Sequence, residues 1–500
     1  MREVFKPASF FSPLGRDERG TILVQFTISL IAILGFIGLA LDGARVFLLH
    51  NDLQDLADAA ALAGAASLDG TANALTNADA AARSLSANDP TNKKPQWWNA
   101  SSVAILPGTQ GVQFFDTLVN LEASPPRPTN DPKSARYITV TTGVWDVAPT
   151  FLVAVGAVSN TSVQAGAVAE AITVNCKPQS MMLCNPYEPS DGSSTGDTSN
   201  FGCAYLGCRP TRGQMFVFST TGNTGNYSPG VFSLIDPPGS TGSDGDTEHY
   251  LSQQIANACQ REGTSPAQGQ RTNATQIGIN VRFDQPSNQR GVLETAAPIV
   301  IEGIVTSPGT CSKTTVVTPP NFNQANYPET CNSTQYSCPL PFDISFSSTG
   351  GGSTHIGTGL SDANLLAALN AYWQNHHGGS WPTDPTTGLP KTRYQAYLDE
   401  ANAAGDSGNW QTENVEPHSP TCLPVDASGA TRRIISVAVV DCAYWGVIGN
   451  RTNNIPINTY ANFFVTNPTD RQGNIYTEYV ETRQINEKDS GLYRIVHLVK

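Results

Sequence analysis

The chain has 500 residues, a formal net charge of −13, and only 14% charged side chains. That acidic, charge-poor balance offers no basic surface for neutralising phosphates and argues against a nucleic-acid partner. Apolar residues make up 39%, and 44 glycines with 34 prolines supply turns, which suits cores for two or three loop-rich domains.

The first element is apolar. Thr21–Leu41 carries no charge and follows Arg16-Asp17-Glu18-Arg19-Gly20. About 21 residues at 1.5 Å rise match a hydrocarbon core of about 30 Å, so residues 21–41 are read as a transmembrane helix. The apolar region of a cleaved signal peptide is shorter, about 7–15 residues, and ends in a small-residue site. Here Asp42-Gly43-Ala44-Arg45 and further helical pattern follow, so the segment is expected to be retained. Arg2, Lys6, Arg16 and Arg19 precede it and only Arg45 follows closely, so the positive-inside bias assigns residues 1–20 to the cytoplasm and about 460 residues to the far side.

Residues 42–90 read as a helical stalk. Val46, Leu49, Leu53, Leu56, Ala60 and Leu62-Ala63 recur at helical spacing between Asp52, Asp55 and Asp58. After Asp69-Gly70 a second Ala-rich helix is expected to about Ala87, ended by Asp89-Pro90. The alanine face Ala57–Ala66 suits close packing, either on a partner helix or within the chain. Residues 91–172 read as a small sheet built from Val103–Leu106, Val112–Phe115, Tyr137–Thr142 and Ser162–Ala169, interrupted by Pro125-Pro126-Arg127-Pro128.

Residues 173–500 read as a β-rich domain with a few helices. Glu248–Arg261 places Leu251, Ile255 and Cys259 on one helical face, and Asp362–Gln374 does the same with Leu365, Leu366, Leu369 and Trp373. Polar, turn-rich stretches such as Ser190–Asn200 and Gly239–Asp246 separate the elements. The last runs, Arg433–Val440, Thr459–Thr466, Ile475–Thr482 and Leu492–Val499, are expected to be consecutive strands that close a sheet. The fold class is therefore α+β.

All ten cysteines fall in this region: Cys176, Cys184, Cys203, Cys208, Cys259, Cys311, Cys331, Cys338, Cys422 and Cys442. An even number in an exported domain reads as a disulfide set. The spacings Cys176/Cys184, Cys203/Cys208 and Cys331/Cys338 suggest local loops, although spacing cannot give the pairing. Zinc is the rival reading, but no CxxC occurs and the seven histidines are scattered.

Several strings imitate chemical motifs. Gly192-Ser193-Ser194-Thr195-Gly196 fits GxSxG, yet both flanks are polar loop rather than the strand and helix a nucleophile elbow requires. Asp343-Ile344-Ser345-Phe346-Ser347 fits the DxSxS metal-adhesion string of von Willebrand A domains, but Cys338-Pro339-Leu340-Pro341 precedes it where a long hydrophobic strand belongs. Asp244, Asp246 and Glu248 could offer oxygens to Ca²⁺, with a solvated turn and helix N-cap as the plainer reading. His376-His377 reads as a polar helix end, because adjacent helical residues point about 100° apart. No acid, base and nucleophile converge, so neither an enzyme, a cofactor nor a small-molecule substrate is expected.

Gly20, the apolar helix behind it, and Leu53-Gln54-Asp55-Leu56-Ala57-Asp58-Ala59-Ala60-Ala61-Leu62-Ala63-Gly64-Ala65 resemble the N-terminal domain of the Tad/Flp pilus-assembly TadE/TadG-like family. The resemblance is strongest over residues 16–68. Looser similarity extends through the small sheet and to Leu183-Cys184-Asn185-Pro186, Gly278–Asp284, Thr392–Tyr397 and Arg432–Cys442. It implies a pilin-like arrangement, a bacterial inner membrane with a periplasmic C-terminal domain, and other pilus-assembly proteins or a second copy as partners. It also implies possible prepilin-type cleavage between Gly20 and Thr21. Pilin-like members carry Glu five residues after that Gly, whereas this chain has Gln25. A neutral amide cannot neutralise a neighbour's freed amine, so a retained anchor is expected rather than a fibre subunit. The alternatives are a membrane-anchored periplasmic or surface adhesion module, and less well supported, an anchored hydrolase.

Overall fold

The computed structural model describes residues 18–87, 105–151, 153, 159–176, 181–189, 191–202, 209–219, 227–235, 243–252, 260–261, 266–267, 271–285, 295, 297, 340–348, 354–407, 423, 429–447, 455–470, 472–485, 487 and 491–499. It is a mixed helix and sheet protein. Helix α1 runs unbroken over Glu18–Ala66, 49 residues and about 73 Å, so the apolar run and the first part of the stalk are one element. A turn at residues 67–73 leads to α2, Ala74–Ala87, the second Ala-rich helix that composition pointed to.

The strands β1 (Val112–Phe115), β2 (Tyr137–Thr141) and β5 (Gly166–Asn175) form an antiparallel sheet, with a short helix α3 (Leu118–Glu122) between the first two. In β2 the burial alternates, so Ile138 and Val140 point inward beside Ala167 and Ala169 of β5. Against them lie Ala57, Ala60, Ala61 and Ala65 of α1 with Ala78 and Ala82 of α2. The alanine face is thus used within the chain. Gly64 shows how close the approach is, since a Cβ there would lie 2.4 Å from Ile138 Cδ1 and 3.1 Å from the Ala78 carbonyl. A separate hairpin, β3 (Trp145–Val147) with β4 (Thr161–Val163), packs Val147 and Val163 on Leu49 and Leu53 of α1.

The larger sheet has eight strands: β6 (Met181–Cys184), β7 (Met215–Phe218), β8 (Phe232–Leu234), β10 (Phe346–Ser348), β11 (Thr354–Gly357), β12 (Ile434–Val440), β13 (Thr459–Val465) and β14 (Ile475–Gln484). Their order is β10-β11-β7-β14-β13-β12-β6-β8, antiparallel except for the parallel β12–β6 pair. Both faces are covered. Ile435, Val437 and Val439 of β12 share a core with Leu251 of α4 (Asp244–Ser252) and Ile279 of α5 (Thr272–Asn280). The opposite face packs Phe464 against α6 (Ala363–His377) and α7 (Arg393–Ser407). Two-sided burial is why these strands read as continuous apolar runs instead of alternating ones.

The sequence's last strand, β15 (Leu492–Leu498), does not close this sheet. It pairs antiparallel with β5 along Leu492–Leu498 and Asn175–Ala169, extending the first sheet to β1-β2-β5-β15, while a short strand β9 (Gln260–Arg261) also meets β5 at Val174 and Asn175. The first sheet therefore crosses the boundary expected at residues 172 and 173, because β5 runs through it and chain from the far end completes it. One of the local loops suggested by spacing, Cys176/Cys184, is not formed: Cys184 bonds Cys442, 258 residues away, where parallel β6 and β12 bring their ends together, and Cys176 is bonded elsewhere. Cys203, Cys208, Cys259, Cys311, Cys331, Cys338 and Cys422 lie outside the described residues.

Candidate membrane anchor and its junction

Every Ile, Leu, Val and Phe from Ile22 to Leu41 is exposed, from Phe36 at 73% to Leu30 at 42%. A core helix of that composition would be buried. Instead only 6% of its most apolar stretch is covered by the rest of the protein, and it is the one helix among the described residues long and apolar enough to cross a membrane. Gln25 lies on this bare segment and is itself exposed, one turn after Gly20 and Thr21.

At Asp42 the environment changes. The residue is 5% exposed, and its carboxylate accepts backbone N–H bonds from Thr150, at 3.1 Å to each oxygen, and from Phe151 at 2.9 Å. Arg45, one turn on, stands 3.4 Å from the same carboxylate and also donates to the Thr150 hydroxyl. An ionised carboxylate with several donors is stabilised where a bare one would be costly. This collar joins the exit of the apolar run to the chain between β3 and β4.

Above it the helix is held along its length. Leu53 sits in the hairpin core at 1% exposure, and Gln54 donates to Asp58 at 2.7 Å and to the Gly166 carbonyl at 3.2 Å, where β5 begins. The Leu53–Ala65 string thus combines a fully buried leucine, an amide clamp and a row of small residues facing the sheet.

The far end of α1 is gripped by β15 of the first sheet and by chain that flanks strands of the large sheet. Helices end with unsatisfied carbonyls, and Arg494 of β15 donates to the Ala66 carbonyl at 2.9 Å while bonding Asn458 at 3.1 Å. Burial pulls the Arg494 guanidinium below its ordinary range. Asn458 donates to the Asp69 carbonyl, Tyr444 to the Gly70 carbonyl, and the Ala72 amide to the Thr195 carbonyl, at 2.8–3.0 Å. Gly70 has φ +77°, and a Cβ there would lie 2.6 Å from Trp445, so glycine is required both for the turn and for the contact. Tyr444 and Trp445 lie on the short helix α8, Cys442–Trp445, which the Cys184–Cys442 bond fixes to the sheet.

The imitation motifs have other uses. Gly192–Gly196 is loop: Ser193 bonds Asp191, Ser194 donates to Asp441, and Thr195 receives the Ala72 amide. Asp343 is fully buried, bonded to Arg393 at 2.8 Å and to the amides of Met215 and Gly359, so both oxygens are engaged. Ser243 and Asp246 exchange bonds at the start of α4, with Asp244 exposed beside Arg271 and Glu248 turned inward. Burial and Asp244 raise the Glu248 pKa, and these acids do not converge on one point as a metal site would need. His377 bonds the buried Glu400 at 2.7 Å at the end of α6.

Asp42, Thr150, Arg494 and Trp445 are the junction residues that sequence reading missed. Only Asp42 had a signal, being the first charge after a long apolar run.

Residues 20–67 match the family described as "Putative Flp pilus-assembly TadE/G-like" (Tad), a segment of about a tenth of the chain. That segment is the apolar run, the helix side of the collar at Asp42 and Arg45, and the sheet-facing string. No curated protein and no solved structure matches the chain.

Proposed function

We propose that this chain is a membrane-anchored structural or assembly component of a Tad (Flp-type) pilus or tight-adherence system, acting through contacts with other assembly proteins or with itself. It sits in the bacterial inner membrane with residues 1–20 in the cytoplasm and the sheets in the periplasm. It carries out no catalysis.

One observation carries the reading. A continuous helix is bare and apolar over its first half and held by the first sheet and the β3–β4 hairpin over its second half, so a load on the β region passes directly to the bilayer. The Tad match covers that same helix. Gln25 supports a retained anchor over a fibre subunit, since a neutral amide in a lipid-facing helix costs less than a carboxylate.

The test combines deletion with fractionation. Deletion is expected to reduce surface pili, while the full-length protein stays in the inner-membrane pellet with an uncut N-terminus and an alkaline phosphatase fused after Ser67 is active. N-terminal sequence starting at Thr21 with abundance in sheared fibres would make it a fibre subunit. Normal piliation with membrane retention would favour the anchored adhesion module.

A further inference from the structure

Asp42 pins the chain between β3 and β4 to α1 at the level where the apolar run ends. The described residues just beyond the pin are apolar and bare: Phe151 is 47% exposed and Val153 53%. No charged residue occurs between Asp146 and Glu170. The flanking hairpin is fastened by Val147 and Val163 to Leu49 and Leu53.

Depth follows from the helix. If Thr21–Leu41 fills a hydrocarbon core of about 30 Å, Leu41 marks its outer edge and Asp42 lies about 1.5 Å further, in the headgroup layer. Side chains held beside Asp42 share that depth. Apolar groups there are covered by the boundary between headgroups and acyl chains, which buries them by about 5–10 Å. The outward faces of Phe47 (64% exposed) and Leu48 (49%) continue the same apolar surface just above the collar.

We propose that Phe151 and Val153 seat in the surface of the phospholipid bilayer that α1 crosses. The β region then touches the membrane at a second point. A lone helix leaves a domain free to swivel and tilt, whereas two contacts joined by the Asp42 bonds fix the angle at which α1 leaves the bilayer and the face the sheets present. This inference rests on reading α1 as the membrane-spanning element.

The experiment places a photoreactive benzoyl-phenylalanine at position 151, 153, 119 or 36 of the full-length protein in vesicles of phosphatidylethanolamine and phosphatidylglycerol. Val119, 78% exposed on α3, reports aqueous surface, and Phe36 reports the apolar run. Lipid adducts are expected at 36, 151 and 153, with at least about tenfold more at 151 than at 119, the preference expected for an aromatic group leaving water. Lipid adduct at 36 alone, with 151 and 153 at the level of 119, overturns the second contact and leaves the anchor standing. Adducts from 151 and 153 to a second copy of the chain overturn it in favour of self-association. Absence of adduct at 36 overturns the spanning reading and the inference with it. Two probe positions guard against one substitution disturbing the loop.

Discussion

Asp441 faces Asn185 at 2.8 Å and Ser194 at 3.1 Å, beside the Cys184–Cys442 bond. Burial lifts its carboxyl to about 6, Asn185 and Ser194 oppose the rise, and Glu188 adds to it. Because the folded pKa lies above the ordinary aspartate value of 3.8, the folded protein binds more protons than the unfolded one between those values. Stability should therefore fall as pH rises through that window, with the cost fully present above about pH 6. Asp441→Asn is expected to flatten this part of the Tm-against-pH curve and to be at least as stable as wild type at about pH 8. A variant that loses more stability at high pH than at low would mean that the ionised carboxylate is favourable. Arg393 is the contrasting case. Burial works against its charge, but Asp343 at 2.8 Å and Glu478 at 3.0 Å outweigh it and raise its pKa. Nothing in Asp343–Ser347 read as a string reveals this, because the partners lie 50 and 135 residues further along the chain.

Among the elements, α1 shows how packing distance selects residues. Alanine and glycine let its backbone lie directly on β2, β5 and α2, and dispersion contacts at that distance offset the small area each residue buries. Gly64→Leu would drive a side chain into Ile138 and the Ala78 carbonyl, which backbone geometry prevents from yielding. The expected cost is about 1–3 kcal/mol, the range for overpacking a close-fitted core. His50→Ala, on the exposed side of the same helix, should be near neutral. Thermal unfolding of the two variants in detergent distinguishes them, and equal melting temperatures would mean that α1 is not tightly seated. The helix itself was legible from apolar composition and spacing. What it packs against was not, since an alanine face fits a partner helix or its own sheet equally well.

For the whole molecule, β15 is the link between the two sheets. It completes the first sheet, caps α1 through Arg494, and contributes Leu492 to the core beside Cys184 and Cys442. Ending the chain after Gly491 should expose the β5 edge and the α1 C-terminus together. Limited proteolysis is then expected to cut residues 105–175 readily while the eight-stranded sheet, tied by Cys184–Cys442, stays protected. Unchanged protection of the first sheet would make β15 an accessory.

Sequence by itself determined the apolar run, the stalk helices, most strands and the family string, because each is written in the period or composition of a short segment. Tertiary structure alone decided the Cys184–Cys442 pairing, the return of β15 to the first sheet, the Arg393 ion pairs and the collar at Asp42. Those depend on contacts between residues as much as 428 positions apart, as Arg494 on Ala66 shows. Periodicity reports which face of an element is apolar, but which partner covers that face is settled only when the whole chain has folded.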